Sequence, residues 1–239
     1  MKYIYGPVKS RRLGMSLGVS LTPYKICNFD CIYCQLGKTK ELTQERKEYL
    51  QPAEIIDEFK AWFAQNPAEA VNLSYITVSG LGEPTLNTKI GEIIAQIKKI
   101  TTSPVAVITN ASLLNDAVVR SSLFAADLIV PSLDAASPKA FSKIDRAHPD
   151  IKIEDIVNGL ISLRKEYRGK IWLEVMLVRG ANDDLRQIRK LKEAIEKINP
   201  DKIQLNSPVR STTEKEIFPP LKNKLKKIKE MLGDKAEIV

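Results

Sequence analysis

The sequence predicts a single α/β domain, a partial TIM-like (βα)6 barrel built on a parallel sheet. Three observations lead there. Short runs rich in Val, Ile and Leu recur six times, as expected of parallel strands covered on both faces. Amphipathic stretches of helical period separate them. A closed eight-unit barrel usually takes about 250 residues, whereas this chain of 239 residues shows only six units, so an open barrel fits better.

The strand candidates are residues 15–21, 73–79, 105–109, 127–132, 171–178 and 202–206. Between them, Ile90, Ile93, Ile94, Ile97 and Ile100 mark one helix face, and Leu185, Ile188, Leu191, Ile195 and Ile198 mark another. A last helix is expected over 218–232, with Phe218, Leu221, Leu225, Ile228 and Leu232 as its apolar stripe. Right-handed crossovers place such helices outside one curved sheet. No linker, repeat or shift in composition divides the chain. Residues 1–239 therefore read as one core domain with a short N-terminal extension and a C-terminal amphipathic helix.

In this architecture functional loops gather at the carboxyl ends of the strands. The first strand runs into Thr22-Pro-Tyr-Lys-Ile-Cys27-Asn-Phe-Asp-Cys31-Ile-Tyr33-Cys34, which holds all three cysteines of the chain. An odd number excludes a self-contained disulfide framework, and clustered soft thiolates point to zinc or iron–sulfur. A structural zinc site normally closes with four protein ligands. A cubane held by Cys27, Cys31 and Cys34 instead leaves one iron open to a small molecule.

The second strand ends in Ser79-Gly80-Leu-Gly82-Glu83-Pro84-Thr-Leu86, where glycines permit close backbone approach and Glu83 offers an acceptor to an ammonium group. An ordinary strand-to-helix loop is the other meaning of such a string. The third strand ends in Thr109-Asn110-Ala111, where Asn110 could meet a cofactor or make an Asx-type turn. The fourth ends in Ser132-Leu133-Asp134, with Ser132 and Asp134 on one face as hydroxyl partners, or Asp134 as a helix cap. Arg146 could grip a carboxylate or phosphate. Glu174 lies inside an apolar strand and needs either a polar lumen or a lysine partner. Gln204 and Asn206 share a face of the sixth strand, and Arg210 follows on its loop; these, with Arg146, are the candidate substrate contacts. His148, the only histidine, is expected at the surface.

The C-x3-C-x2-C loop, with Tyr33 before its last cysteine, resembles the signature of the radical S-adenosylmethionine (AdoMet) superfamily. The resemblance implies a [4Fe–4S] cluster on Cys27, Cys31 and Cys34, AdoMet on the open iron, and cleavage to a 5′-deoxyadenosyl radical that abstracts hydrogen. It implies AdoMet contacts at Tyr33, Gly80, Gly82, Glu83, Asn110, Ser132 and Asp134, and a reducing donor such as flavodoxin or ferredoxin. Ser-Gly-Leu-Gly-Glu-Pro-Thr-Leu and Ser-Leu-Asp-Ala are similar to strings in the group containing wyosine-type tRNA-modifying enzymes. That group carries cysteines for a second cluster, which this chain lacks, so a nucleoside or tRNA base is the implied substrate without the wyosine reaction itself. A protein-directed activase of glycyl-radical enzymes is the alternative, and a zinc-stabilised RNA-binding module is the reading from another class.

The formal net charge of +8 permits an anionic partner without identifying one. Five lysines (222, 224, 226, 227 and 229) lie opposite the apolar stripe of the last helix, as a solvated face requires. Lys9, Arg11 and Arg12 stand apart from that helix, just before the first strand. No apolar stretch suits a signal peptide or a membrane span, so a reducing cytoplasm is the expected location.

Overall fold

The computed structural model describes residues 1–210 and 212–239. Its main sheet has eight strands in the order β1-β2-β5-β6-β7-β8-β9-β10, and it curves as a partial barrel. The chain opens with the hairpin β1 (Ile4–Ser10) and β2 (Gly14–Ser20), followed by a small parallel pair, β3 (Ile26–Cys27) and β4 (Glu41–Leu42). Helices α1 (Pro52–Gln65) and α2 (Pro67–Ala70) lead to β5 (Tyr75–Ser79), and α3 (Ile90–Ile100) leads to β6 (Val105–Thr109). Then come α4 (Ala117–Ser122), β7 (Leu128–Pro131), α5 (Pro138–Ile144), α6 (Ile153–Glu166) and β8 (Lys170–Met176). The chain ends with α7 (Leu185–Ile198), β9 (Lys202–Asn206), α8 (Lys222–Leu232) and β10 (Ala236–Ile238). From β2 to β10 every neighbouring pair in the main sheet is parallel.

All six expected strands are present, and two more extend the sheet. The opening segment, expected as an extension, is the antiparallel edge strand β1. Pro7 hides it from pattern reading, because proline fits a strand only at an edge or irregularity, and the pairing does shift register between Tyr5 and Val8. Strand β10, with three residues, is too short to show alternation. The last helix begins at Lys222 rather than residue 218. Pro219 and Pro220 block a helix interior there, leaving Phe218 and Leu221 52% and 56% exposed, so only Leu225, Ile228 and Leu232 bury against the sheet. Ile228→Ala should accordingly cost about 2–4 kcal/mol in denaturant unfolding, and Lys226→Ala under about 0.5 kcal/mol; equal midpoints would reject this packing.

The helices bury their apolar faces on the convex side, where Ile93, Ile94, Ile97, Leu160, Ile188 and Ile195 join one continuous core. A second, smaller apolar cluster lies on the concave side. Leu13 from the β1–β2 turn meets Ala106, Leu128 and Val130 there, packed by Tyr75, Ile108 and Trp172. The turn thus folds across the lumen and plugs its floor. Above this plug the concave face is polar: Ser16 hydrogen-bonds Thr77, and Tyr5 hydrogen-bonds Ser79. The strand ends above that layer carry the predicted motifs.

Candidate functional site

The cysteine loop is pinned to three neighbouring strand ends and to the end of α5. Lys25 N donates to Leu81 O (2.5 Å) and Glu83 N to Ile26 O (3.2 Å), which zips the loop to the glycine segment after β5. Asn28 Nδ2 donates to Ser112 Oγ, and Asn110 Nδ2 donates to Asn28 Oδ1, both at 2.6 Å, joining it to the loop after β6. Tyr33 OH donates to Asp134 Oδ2 beyond β7. Asp30 N and Ile32 N donate to Asp145 O and Ile144 O at the end of α5. Such over-determination holds the three thiols on a rigid frame.

Glycine is required at two positions here. Gly80 has φ +120°, and a Cβ on Gly82 would stand 1.8 Å from Ile26 O. Gly82→Ala should therefore prise the two loops apart at a cost of about 1–3 kcal/mol in denaturant unfolding; a wild-type midpoint would contradict the close approach.

Glu83 is buried, and both its oxygens are occupied. Oε1 accepts from Thr85 N (3.1 Å), Thr85 Oγ1 (2.6 Å) and Thr109 Oγ1 (2.6 Å), while Oε2 accepts from Asn110 N (2.8 Å). Burial pushes its carboxyl above the ordinary range, against the pull of those hydrogen bonds. The carboxylate that the sequence offers to an ammonium group is thus committed to tying the β5 and β6 loops together. Asn110 lies beside the thiols, its Nδ2 3.8 Å from Cys27 Sγ. Ala111 replaces the glycine of the similar pattern yet keeps φ +65°, so the left-handed turn persists.

Burial pushes the Cys27 thiol up to about 12, with the charge of Glu83 adding to it. Burial and Asp145 raise Cys31, whose Sγ lies 3.8 Å from Asp145 Oδ1. Lys25 is buried, with Nζ 3.1 Å from Cys34 Sγ. Tyr33, Asn110, Ser132, Asp134 and Asp145 line one small pocket. Asp134 caps no helix: it accepts from Tyr33 OH and from Met176 N (2.7 Å), and burial lifts its carboxyl to about 6. Asp145 is raised further, by burial and then by Asp134. Sequence reasoning missed Lys25, Asn28 and Asp145; a lysine two positions before the first cysteine was the available signal.

The candidate substrate residues separate. Asn206 faces the lumen, its Nδ2 donating to Glu174 Oε1 (2.7 Å), and Glu174 pairs with Arg12 rather than a lysine. Gln204 is buried and donates to Glu237 Oε1 (3.0 Å), with its own Oε1 unpartnered. Arg210 donates to Gln35 Oε1 (3.2 Å), next to the cysteine loop. Arg146 pairs with Glu214 (2.5 Å) and lines an outer groove with His148, whose ring lies 3.1 Å from Gln44 Nε2. An arginine so placed is engaged on the rim.

The family model of the radical SAM superfamily matches residues 21–194, most of the chain and the site from the cysteine loop to Glu174. The chain belongs to the radical SAM superfamily. A UPF0026 protein of Methanocaldococcus jannaschii is 34% identical over 239 residues, covering 100% of this chain and 73% of that protein. A UPF0026 protein of Synechocystis sp. is 39% identical over 208 residues, covering 87% of this chain and 76% of the relative. A Brachyspira hyodysenteriae protein named GTPase Obg is 42% identical over 212 residues, 89% of this chain but only 31% of that protein. Among solved structures, TYW1 with a lysine-pyruvate adduct bound has a TM-score of 0.68 at 22% identity, covering 91% of this chain and 72% of that one. A radical SAM methyltransferase from Sphaerobacter thermophilus has a TM-score of 0.70 at 17% identity, covering 94% and 65%. At these identities the two structures establish a shared fold.

The radical SAM chain is an enzyme whose cofactors are a [4Fe–4S] cluster and AdoMet. Its residues fit that pair. The three thiols are half-buried, Cys27 and Cys31 are costly to ionise alone, and a cationic cluster would supply the missing compensation. Among the described residues no three His, Cys, Asp or Glu side chains converge on a single ion; a cubane takes each thiolate on a different iron and needs no such convergence. Radical SAM enzymes also need a reductant. No helix among the described residues is long and apolar enough to cross a membrane.

Proposed function

We propose that Cys27, Cys31 and Cys34 hold one [4Fe–4S] cluster whose open iron takes AdoMet, and that the substrate enters the lumen beneath it. The single observation that carries this reading is a loop that holds all three cysteines of the chain, set over a polar lumen at the strand ends. When bound, the cluster and AdoMet supply a 5′-deoxyadenosyl radical for hydrogen-atom abstraction. The chain's own residues bind and orient. Gly80 and Gly82 let the loop after β5 pack directly on Ser20 and Ile26, which would frame the methionyl end of AdoMet. Glu83 positions that loop against Asn110. Tyr33, Ser132 and Asp134 would offer hydrogen-bond partners to the AdoMet ribose, with Asp134 held in orientation by Met176 N. Lys25 places its ammonium group 3.1 Å from Cys34 Sγ and holds that end of the loop.

The strings after β5 and β7 favour a nucleoside or tRNA base as substrate; the reductant that the superfamily needs is assigned to a small flavodoxin- or ferredoxin-type protein. Anaerobic incubation with dithionite and AdoMet should yield 5′-deoxyadenosine. Fully iron-loaded protein that forms none would overturn the proposal.

A further inference from the structure

The β1–β2 turn carries two consecutive arginines into the lumen, and no step so far uses them. Arg12 Nη1 pairs with Glu174 Oε2. Arg11 Nη2 donates to Asn206 Oδ1 (2.7 Å), and its Nη1 to Val239 O (3.0 Å). Asn206 in turn donates to the other oxygen of Glu174, so one carboxylate serves two guanidinium groups. Packing lowers the proton affinity of the Arg12 guanidinium, burial first and the charge of Arg11 second, with Tyr33 and Tyr5 near enough to act on it. The Arg12 side chain nevertheless stays 22% accessible. Its guanidinium is therefore reachable, and Tyr33, close enough to act on it, is joined to Asp134.

Arg11 is exposed and Arg12 half-buried; the two share the one carboxylate of Glu174, Arg12 directly and Arg11 through Asn206, and each guanidinium has five N–H donors, most of them not used by these bonds. We propose that Arg11 and Arg12 form an oxyanion clamp in the lumen, which holds the substrate by a phosphate or carboxylate group. The clamp rests on the radical SAM reading above for its purpose: it anchors the charged end of the substrate on the lumen side facing Tyr33, leaving the reacting C–H towards the cysteine loop. Planar guanidinium pairs suit such oxyanions, because two parallel N–H groups match two oxygens.

The test is calorimetric titration of anaerobically reconstituted protein with inorganic phosphate in one arm and succinate in the other. Saturable binding at one site is expected in at least one arm, and the stronger arm identifies the oxyanion. Arg11→Gln should weaken it at least about tenfold, while Lys222→Gln, which removes one charge from the solvent face of α8, should leave it within about twofold. Arg12→Gln alone strands Glu174 in the lumen and threatens the fold, so the double variant Arg12→Gln/Glu174→Gln removes both charges; it too should lose at least about tenfold. Arg12→Lys, a point charge without the fork, should fail to restore wild-type affinity. No saturable binding by wild type, or equal affinity in the arginine variants, overturns the clamp. Measuring 5′-deoxyadenosine on the same wild-type preparation separates the two readings. Arginine-dependent binding without AdoMet cleavage refutes the radical reading alone, and cleavage without such binding refutes the clamp alone.

Discussion

Replacing Cys27, Cys31 or Cys34 by alanine is expected to abolish bound iron and sulfide while leaving the sheet folded. The loss should be near complete in each variant, because the described structure offers no fourth thiol to substitute: the chain has three cysteines in all. The fold should survive for a separate reason. The thiols are half-buried in a loop that hydrogen bonds of Lys25, Asn28, Asp30 and Ile32 already hold in place. Removing one sulfur deletes little apolar area, and a cost of about 1 kcal/mol is the natural scale. Iron and sulfide analysis after anaerobic reconstitution, beside circular dichroism, reads both halves. Retained cluster in any single variant would remove that cysteine from the ligand set; unfolding of all three would make the loop a folding element instead.

Glu83→Ala should be the most destabilising single change outside the hydrophobic core. It strands four donors: Thr85 N, Thr85 Oγ1, Thr109 Oγ1 and Asn110 N. An unsatisfied buried donor costs about 1–3 kcal/mol, and partial relaxation still leaves a loss on the order of 3 kcal/mol or more. Glu83→Gln should recover only part, since its amide NH2 would face a donor where the second carboxylate oxygen was. Urea midpoints at neutral pH decide the matter. A change within about 0.5 kcal/mol for the alanine variant would mean that the carboxylate is free for a ligand. Because Asn110 sits against Cys27 and Glu83 holds Asn110, the alanine variant should also bind AdoMet more weakly.

What could be read from the residues alone follows signal strength. Six parallel strands were legible because β-branched runs at strand length alternate with helical periods over many residues. The hairpin strand β1 was not, since Gly6-Pro7 interrupts it, and β10 was too short. The cysteine loop was legible because thiolates at that spacing have few other uses. The roles of Glu83, Arg11 and Arg12 were not, since a carboxylate facing a ligand and one facing four protein donors have the same sequence. Only the fold brings Thr109 to Glu83, or Arg12 to Glu174 across 162 positions of chain. Asp145 is a similar case: its nearness to Cys31 spans 114 positions and leaves no local trace.

The central claim is one cluster with one open iron. Electron paramagnetic resonance of the dithionite-reduced protein, recorded with and without AdoMet alongside metal analysis, tests it most directly. About four irons per chain, a reduced-cluster signal, and a change in that signal when AdoMet is added are expected. Tightly held zinc with no iron after reconstitution, or a cluster signal that AdoMet leaves untouched, would contradict it.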